Sequence, residues 1–301
     1  MEKLKAVLSL ITRDNDYQLE QATAAEAVAR QHNVDLEVVY ANSDSVVQSS
    51  QLVELIYKHK SKLNAILVEP AGGTDFPQVA KAAFTAGIAW VLLNRDDSSL
   101  ADLRRNSAVP IFAVSSDHEE LGRIQARQLA AILPSGATVV CIQGPSASLV
   151  AQQRLVGLEA AKPPNITLRM LKSADWTEEG GFHAVASWLR LTTAKATPIG
   201  AVAAQNDFIA IGARKSFEQV KSELPEPFFL GIDGLPRTGQ ALVDRGQLAA
   251  TVVVPPIAGT ALEMLVTAIA QKSAPPPLQL ISGRSYPAIE KLRSDHAGTY
   301  S

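Results

Sequence analysis

The sequence predicts an α/β protein made of two similar lobes, each with a parallel central sheet. Short apolar segments alternate with longer amphipathic segments along the chain, which is the pattern of strand and helix units around a parallel sheet. A chain of 301 residues exceeds the size at which a single hydrophobic core is usual, so two lobes are expected. Each half of the chain contains about five such units, although no residue-level repeat supports a duplication.

The predicted strands are short apolar runs that end at polar or turn residues. In chain order they span residues 6–11, 36–40, 65–68, 89–93, 111–114, 138–142, 167–171, 199–203, 228–232 and 250–253. Helical patterns fill the intervals. In residues 43–60, for example, Leu52, Leu55 and Ile56 share one apolar face, and Asp44 lies near the first turn, where an acid interacts favourably with the helix dipole.

The composition is that of an ordinary globular protein. Hydrophobic residues make up 47% of the chain and charged residues 19%, and the formal net charge is −2. Because no basic run or strong field is present, direct nucleic acid binding is not expected. No segment approaches the length of a membrane span. Cys141 is the only cysteine, and its apolar strand predicts a small buried hydrophobe.

The sequence contains no pattern that favours an enzyme, a metal site or a cofactor. Gly144 to Ser148 lacks the glycine spacing of a nucleophile elbow, and Ala71 to Thr74 lacks the lysine of a phosphate loop. The histidines show no zinc-site spacing; they are His32, His59, His118, His183 and His296.

Polar and aromatic side chains follow the predicted strands on their carboxyl side. This is the edge at which open α/β sheets bind their ligands, so both lobes are expected to direct these side chains into one cleft. Planar amides, carboxylates and guanidinium groups pair with neighbouring hydroxyls, and aromatic rings cover the C–H face of a sugar. A monosaccharide or polyol is therefore predicted, with these candidate contacts: Asn15, Tyr17, Gln18, Glu69, Asn94, Arg95, Trp176, Asn206 and Asp233.

Three segments carry a resemblance to a known family: residues 204–213 (AQNDFIAIGA), 230–234 (LGIDG) and 246–252 (GQLAATV). They resemble the type I periplasmic sugar-binding proteins, ribose-binding proteins among them, and the effector domains of LacI-type repressors. The resemblance implies two Rossmann-like lobes joined by a three-segment hinge. It places residues 1–115 and 255–283 in the first lobe and residues 116–254 and 284–301 in the second, with Pro255 and Pro256 stiffening one crossing.

The resemblance also assigns roles in the first lobe. Asn15 and Tyr17 match the asparagine and the aromatic residue that follow the first strand in the family. Asn94 and Arg95 match an Asp-Arg pair at the end of the fourth strand, with asparagine in place of the usual aspartate. Glu69 stands where an asparagine is common, and its carboxylate is suited to a pair of hydroxyls or to a cation.

In the second lobe, Gln152 stands where ribose-type binders have a sugar-contacting arginine, and Arg154 matches the structural arginine beside it. Trp176 matches an aromatic ligand contact, and Asn206 and Asp233 match the asparagine and aspartate of this lobe.

Several residues have a second interpretation. Asp207 suits the N-terminus of a helix better than a ligand contact, and Glu69 before a proline also fits a solvated turn. Trp90 and Trp188 are expected to pack in the core. For Arg95 a ligand contact is favoured, because an unpaired guanidinium is costly in a closing cleft.

The resemblance implies that the chain binds its ligand reversibly in an inter-lobe cleft that closes by hinge motion, as the solute-binding component of an ABC transporter. The alternative is a cytoplasmic ligand sensor of the LacI effector type without its own DNA-binding domain. The expected partner is an ABC permease or a signalling protein. Localisation is expected to be periplasmic if an export signal was removed, and cytoplasmic if Met1 is the native start.

Overall fold

The computed structural model describes residues 3–59, 62–72, 76–95, 100–105, 107–173, 175–191, 198–220 and 226–296. The chain forms two compact units. Met1–Ser116 and Pro255–Ile281 form the first, called here the N lobe, and Asp117–Val254 and Ser282–Ser301 form the second, the C lobe. The chain therefore passes between the lobes three times, after Ser116, after Val254 and after Ile281.

The N lobe has one six-stranded sheet. Its strands are β1 (Lys5–Leu10), β2 (Asp35–Tyr40), β3 (Ala65–Val68), β4 (Ala89–Leu93), β5 (Ile111–Ser116) and β11 (Leu278–Ile281). They pair in the order β11-β5-β4-β3-β1-β2, and every pair is parallel. The helices are α1 (Asp16–Gln31), α2 (Ser45–His59), α3 (Pro77–Thr85), α4 (Leu100–Arg105) and α10 (Ile257–Gln271).

The C lobe repeats this plan with a second six-stranded sheet. Its strands are β6 (Ala137–Gln143), β7 (Ile166–Lys172), β8 (Ile199–Ala204), β9 (Phe228–Asp233), β10 (Ala250–Val253) and β12 (Arg284–Tyr286), in the order β12-β10-β9-β8-β6-β7. Only the β10–β12 pair is antiparallel among these described strands. The helices are α5 (His118–Ile132), α6 (Leu149–Ala161), α7 (Glu178–Leu189), α8 (Asp207–Val220), α9 (Ala241–Asp244) after a π-helical turn (Pro236–Gln240), and α11 (Ile289–His296).

Both faces of each sheet are covered, as the continuous apolar strands require. In β4, Val91 packs on the face shared with α1 and α10, whereas the preceding residue, Trp90, packs on the opposite face against α2 and α3. Trp90 is completely buried, and Trp188 of α7 is buried in the C lobe. The predicted core positions of both tryptophans are confirmed.

The α/β fold with two parallel central sheets is confirmed. Each of the ten predicted strands is present, and residues 43–60 contain α2, whose Leu52 and Ile56 are buried while Leu55 is half-buried. The carboxylate of Asp44 accepts hydrogen bonds from the amides of Val46 at 2.7 Å and Val47 at 3.1 Å, so it caps this helix.

Two strands were not predicted. They are β11, which begins directly after the proline run at residues 275–277, and β12, which lies near the chain crossing after Ile281. Both are short edge strands that pair with one neighbour only and bury little apolar surface. Their sequences therefore lack the continuous apolar run that identifies a central strand.

Cys141 lies in β6 and is completely buried. Burial raises the pKa of its thiol to about 12, so the thiolate is not formed at neutral pH. The prediction of a small buried hydrophobe at this position is confirmed.

Candidate functional site

In the N lobe, a buried carboxylate organises the polar residues that follow the strands. Glu69 lies just after β3 and is only 6% exposed. Its Oε2 accepts a hydrogen bond from Gln18 Nε2 at 2.9 Å, and its Oε1 accepts one from Asn94 Nδ2 at 2.8 Å. The Asn94 amide also donates to the Tyr17 hydroxyl at 3.0 Å. Glu69 is therefore part of a buried network, and its interpretation as a solvated turn residue is wrong.

Burial raises the pKa of Glu69, while the hydrogen bonds from Asn94 and Gln18 and the nearby charge of Arg95 act in the opposite direction. Asn94 adopts a left-handed backbone conformation with φ of 57°. Its Oδ1 is buried and receives no hydrogen bond within the part of the chain that the structure describes. The end of β3 and β4 in the N lobe thus holds two buried polar groups: the acid of Glu69 and the Oδ1 of Asn94, which lacks a donor among the described residues. Burial of such groups is unfavourable unless they are hydrogen-bonded.

The first turn of α1 brings two of these side chains to the end of β1. Asn15 caps the helix, because its Oδ1 accepts from the amides of Tyr17 at 2.8 Å and Gln18 at 3.3 Å. Gln18 in turn accepts from the amide of Ile11 at 2.9 Å through its Oε1. Asn15 therefore orients Tyr17 and Gln18. An asparagine directly before an amphipathic segment is typical of such a helix cap.

Two further N-lobe residues define the surroundings of Glu69. Arg95 is half-buried and donates to the carbonyl of Gly72. Gln48, which sequence analysis missed, is completely buried; its Nε2 donates to the carbonyl of Glu69 at 2.9 Å, and its Oε1 accepts from the amide of Ala71 at 2.7 Å. Gln48 thereby fixes the backbone on both sides of Pro70. Its sequence signal is only an amide in the middle of a helix.

In the C lobe, the three residues that follow β8 each bind a different neighbouring segment. Gln205 accepts from the amide of Gly144 at 3.0 Å and donates to the carbonyl of Ala151 at 2.8 Å. Asn206 donates to the carbonyl of Trp176 at 2.9 Å and accepts from the amide of Ile209 at 2.8 Å, so it also caps α8. The side chain of Asn206, predicted as a ligand contact, is thus used to anchor Trp176.

Asp207 is the first residue of α8, as expected, and it is 2% exposed. Its Oδ2 accepts from the amide of Gly234 at 2.8 Å, and its Oδ1 accepts from the hydroxyl of Thr251 at 2.6 Å. Burial, together with the nearby charge of Asp233, raises the pKa of Asp207 to about 8.

Asp233, Arg154 and Trp176 form one group at the carboxyl edge of the C-lobe sheet. Arg154 Nη2 lies 3.3 Å from Asp233 Oδ1, and Nη1 donates to the carbonyl of Gln205. The guanidinium carbon lies 5.8 Å from the centroid of the Trp176 ring, within the range of a cation–π interaction. Burial raises the pKa of Asp233 to about 6, although the Arg154 charge opposes this shift. With a side chain 18% exposed, Asp233 keeps an accessible carboxylate.

Gln152 lies apart from this group. It is exposed on α6, and its Nε2 donates to the carbonyl of Ser146 at 3.0 Å. Two residues further along the helix, Arg154 is buried and points to Asp233. The contacts of Gln152 to a ligand stay a prediction, whereas Arg154 has the structural position that the sequence predicted for it.

Within the described ranges, no group of three or more histidine, cysteine, aspartate or glutamate residues is placed to hold a metal ion. His118, the first residue of α5, is buried, and this burial, with Arg154 nearby, lowers its pKa well below the ordinary value. Across the helices that the structure describes, none combines the length and the apolar composition needed to cross a membrane. The residues named above supply carboxylates, amides, aromatic rings and the two guanidinium groups of Arg95 and Arg154.

A family model for a periplasmic binding protein domain matches residues 6–273. The D-ribose/D-allose-binding protein of Pseudomonas aeruginosa is 28% identical over 214 residues, which are 70% of this chain and 65% of that protein. The ribose import binding protein of Bacillus subtilis is 24% identical over 249 residues, covering 83% of this chain and 75% of that protein.

The matched region spans less than two thirds of the length of the Pseudomonas protein and of a Rhizobium meliloti relative, for which the share is 62%. Among solved structures, an ABC transporter periplasmic solute binding protein of Actinobacillus succinogenes with bound D-allose has a TM-score of 0.83. It is 24% identical, and the likeness covers 97% of this chain and all of that one. This likeness confirms the fold predicted for the two lobes.

Proposed function

Because the chain belongs to the periplasmic binding protein family, we propose that it binds a monosaccharide or a related polyol reversibly, as the solute-binding component of an ABC transporter. The observation that carries the proposal is the same chemistry at the carboxyl edge of both sheets. Each lobe presents a buried or half-buried carboxylate, Glu69 or Asp233, held by an amide or a guanidinium and accompanied by an aromatic ring. No chemical conversion of the ligand is part of this proposal.

These groups suit hydroxyls because a hydroxyl both donates and accepts. Glu69 and Asp233 retain lone pairs beyond those used in the structure, and the Oδ1 of Asn94 is a buried acceptor that receives no hydrogen bond among the described residues. The rings of Tyr17 and Trp176 suit the C–H face of a sugar. An epimer that leaves one buried partner unpaired would lose about 1–3 kcal/mol of binding free energy, which gives such a site its selectivity.

The names of the relatives narrow the ligand class. Proteins that bind D-ribose, D-allose and galactofuranose are among them, which supports a pentose or hexose here and favours transport over the alternative of a cytoplasmic sensor. Family members are normally exported, so we place the protein in the periplasm, with an ABC permease as its partner. We also propose that the two lobes contact one ligand molecule and close around it, because a ligand that touches both lobes only when they are closed favours closure.

A panel of sugars tests the proposal. Native mass spectrometry of the purified protein detects a co-purified ligand, and titration calorimetry measures binding of D-ribose, D-allose, D-galactose, D-fructose and myo-inositol after refolding removes that ligand. Saturable one-to-one binding of at least one sugar is expected. The absence of a co-purified sugar together with the absence of a binding heat for all five would overturn the proposal.

Replacing Asp233 by alanine is expected to weaken binding of the preferred sugar by about ten- to a hundredfold, or about 1–3 kcal/mol. The variant removes an acceptor for ligand hydroxyls and leaves the buried Arg154 without its counter-charge. Titration calorimetry measures the change, with Asp102→Ala as the control, because Asp102 is 82% exposed on α4. A dissociation constant equal to that of the control would remove Asp233 from the site.

Ligand is also expected to compact the protein without changing its secondary structure. The core of each lobe is close-packed and is expected to keep its internal geometry, so a hinge motion at the three chain crossings is the expected response to ligand. Small-angle scattering with and without saturating sugar measures the radius of gyration, and circular dichroism serves as the control. Superimposable scattering curves would show that closure does not accompany binding.

A further inference from the structure

We propose that Asp207 is a positioning residue for the ligand site: it fixes the backbone turn from which Asp233 projects, without touching the ligand itself. The proposal rests on the proposed function for the role of Asp233. No such role follows from the sequence, in which Asp207 is an ordinary acid at the start of a helix.

The backbone turn that follows β9 has an unusual conformation. Asp233 has φ of 110° and Gly234 has φ of 56°, so two successive residues adopt conformations with positive φ. For a residue with a side chain, this conformation is uncommon and persists only where the surrounding structure imposes it. Something must therefore hold the turn that carries the Asp233 carboxylate.

The peptide group between Asp233 and Gly234 is held at both of its polar atoms. Its carbonyl, which belongs to Asp233, accepts from the amide of Val254 at 2.9 Å. Its N–H, which belongs to Gly234, donates to Asp207 Oδ2 at 2.8 Å. Rotation of this peptide plane would break both bonds at once, so Asp207 and Val254 together determine the direction in which Asp233 leaves the sheet.

The surroundings of the Asp207 carboxylate leave no room for a ligand. A Cβ added at Gly231 would lie 2.1 Å from Oδ1, and a Cβ added at Gly239 would lie 2.0 Å from Oδ2. The hydroxyl of Thr251 occupies the remaining acceptor side of Oδ1 at 2.6 Å. Asp207 is thus enclosed by β9, the π-helical turn and β10, and its influence on a ligand must pass through Asp233.

The counter-ion of Asp233 is anchored on the same segment. Arg154, which donates to Asp233, also donates to the carbonyl of Gln205, two residues before Asp207. The start of α8 therefore holds both the backbone of Asp233, through Asp207, and the Arg154 guanidinium beside its carboxylate, through Gln205. A displacement of this helix end moves both together.

Two substitutions of Asp207 test whether its hydrogen bonds position Asp233. In Asp207→Asn, the amide oxygen can still accept from Gly234 and the NH₂ group can donate to the Thr251 hydroxyl, so both contacts survive. In Asp207→Ala, both are lost. With the panel sugar that the wild-type protein binds, we expect the alanine variant to bind about ten- to a hundredfold more weakly and the asparagine variant within about threefold of wild type.

A readout without ligand makes the proposal independent of the sugar. Amide hydrogen exchange measured by NMR is expected to show that protection of the Gly234 amide falls at least tenfold in Asp207→Ala and is retained in Asp207→Asn. The resonance of the Asp233 carboxyl carbon is expected to move in the alanine variant. Thr251→Val is the matched control, since it removes the other hydrogen bond of Asp207 and leaves the bond to Gly234 in place.

The outcomes are distinct. If Asp207→Ala leaves Gly234 protection and the Asp233 resonance as in wild type, or if it binds sugar as tightly as Asp207→Asn, positioning by Asp207 is wrong. If the NMR changes occur but none of the five sugars binds the wild type, positioning stands and the proposed ligand class fails. Should Asp207→Ala not fold, Asp207→Ser, whose shorter side chain cannot span the 2.8 Å contact to Gly234, is measured in the same way.

Discussion

Replacing Gly157 by alanine is expected to lower the unfolding free energy of the C lobe by about 3 kcal/mol or more. Helices α5 and α6 cross at Gly122 and Gly157. A Cβ at Gly157 would lie 1.8 Å from the carbonyl oxygen of Glu119, and a Cβ at Gly122 would lie 2.1 Å from that of Arg154. Because both obstacles are backbone atoms, no side-chain rotation relieves the clash, and the helices must separate.

The effect is measured by denaturant unfolding followed by tryptophan fluorescence. In a Trp90→Phe background, the two remaining tryptophans, Trp176 and Trp188, both lie in the C lobe and report its transition. Val156→Ala is the matched control, since Val156 neighbours Gly157 on α6 but is 52% exposed. A Gly157→Ala protein as stable as this control would show that the two helices are not closely packed.

The free energy of unfolding is expected to depend on pH through Asp207. The pKa of Asp207 is raised to about 8 from an ordinary value of 3.8. Between these values the folded chain binds a proton that the unfolded chain has released, so this residue makes the protein less stable as pH rises from about 4 to about 8. In Asp207→Asn the side chain cannot ionise, and this part of the slope is expected to disappear.

The expected difference between the two pH profiles is up to about 6 kcal/mol, since one pKa unit corresponds to about 1.4 kcal/mol and the pKa is raised by about four units. Unfolding free energies of wild type and Asp207→Asn are measured at intervals from pH 4 to pH 9, and the difference between the profiles reports the titration of Asp207 together with its interaction with Asp233. We expect the asparagine variant to gain relative stability as the pH rises. Parallel profiles would show that Asp207 has an ordinary pKa in the folded chain.

Much of the fold was predictable because its signals are local. Central strands such as β4 are buried on both faces, so every residue must be apolar, and the run itself reveals the strand. The edge strands β11 and β12 were missed because they are only 4 and 3 residues long and half-exposed, so they lack a recognisable apolar run, whereas the longer edge strands β2 and β7 were predicted. Their positions are determined by the neighbours they pair with, Ile111–Ser116 and Ala250–Val253, which lie far away in the sequence.

The sequence predicted a set of candidate ligand contacts, but not the contacts that these side chains make within the protein. Asn15 and Asn206 have the residue type and position of ligand contacts, yet each caps a helix and anchors a neighbouring aromatic residue. Glu69 fits a solvated turn by sequence, but it is buried among side chains contributed by Gln18 and Asn94, which lie 51 and 25 residues away.

The sequence by itself determined the alternation of strands and helices, the two-lobe α/β class and the edge of each sheet at which polar residues gather, because these follow from apolar periodicity and from the parallel order of the strands. Only the tertiary structure decided which of those polar groups are enclosed and which keep an open acceptor. Asp207 is enclosed by glycines at positions 231 and 239, whereas Asp233 remains partly accessible beside Arg154. The physical reason is that hydrogen-bond partners and burial at this edge come from segments distant in the chain, whose proximity no local pattern records.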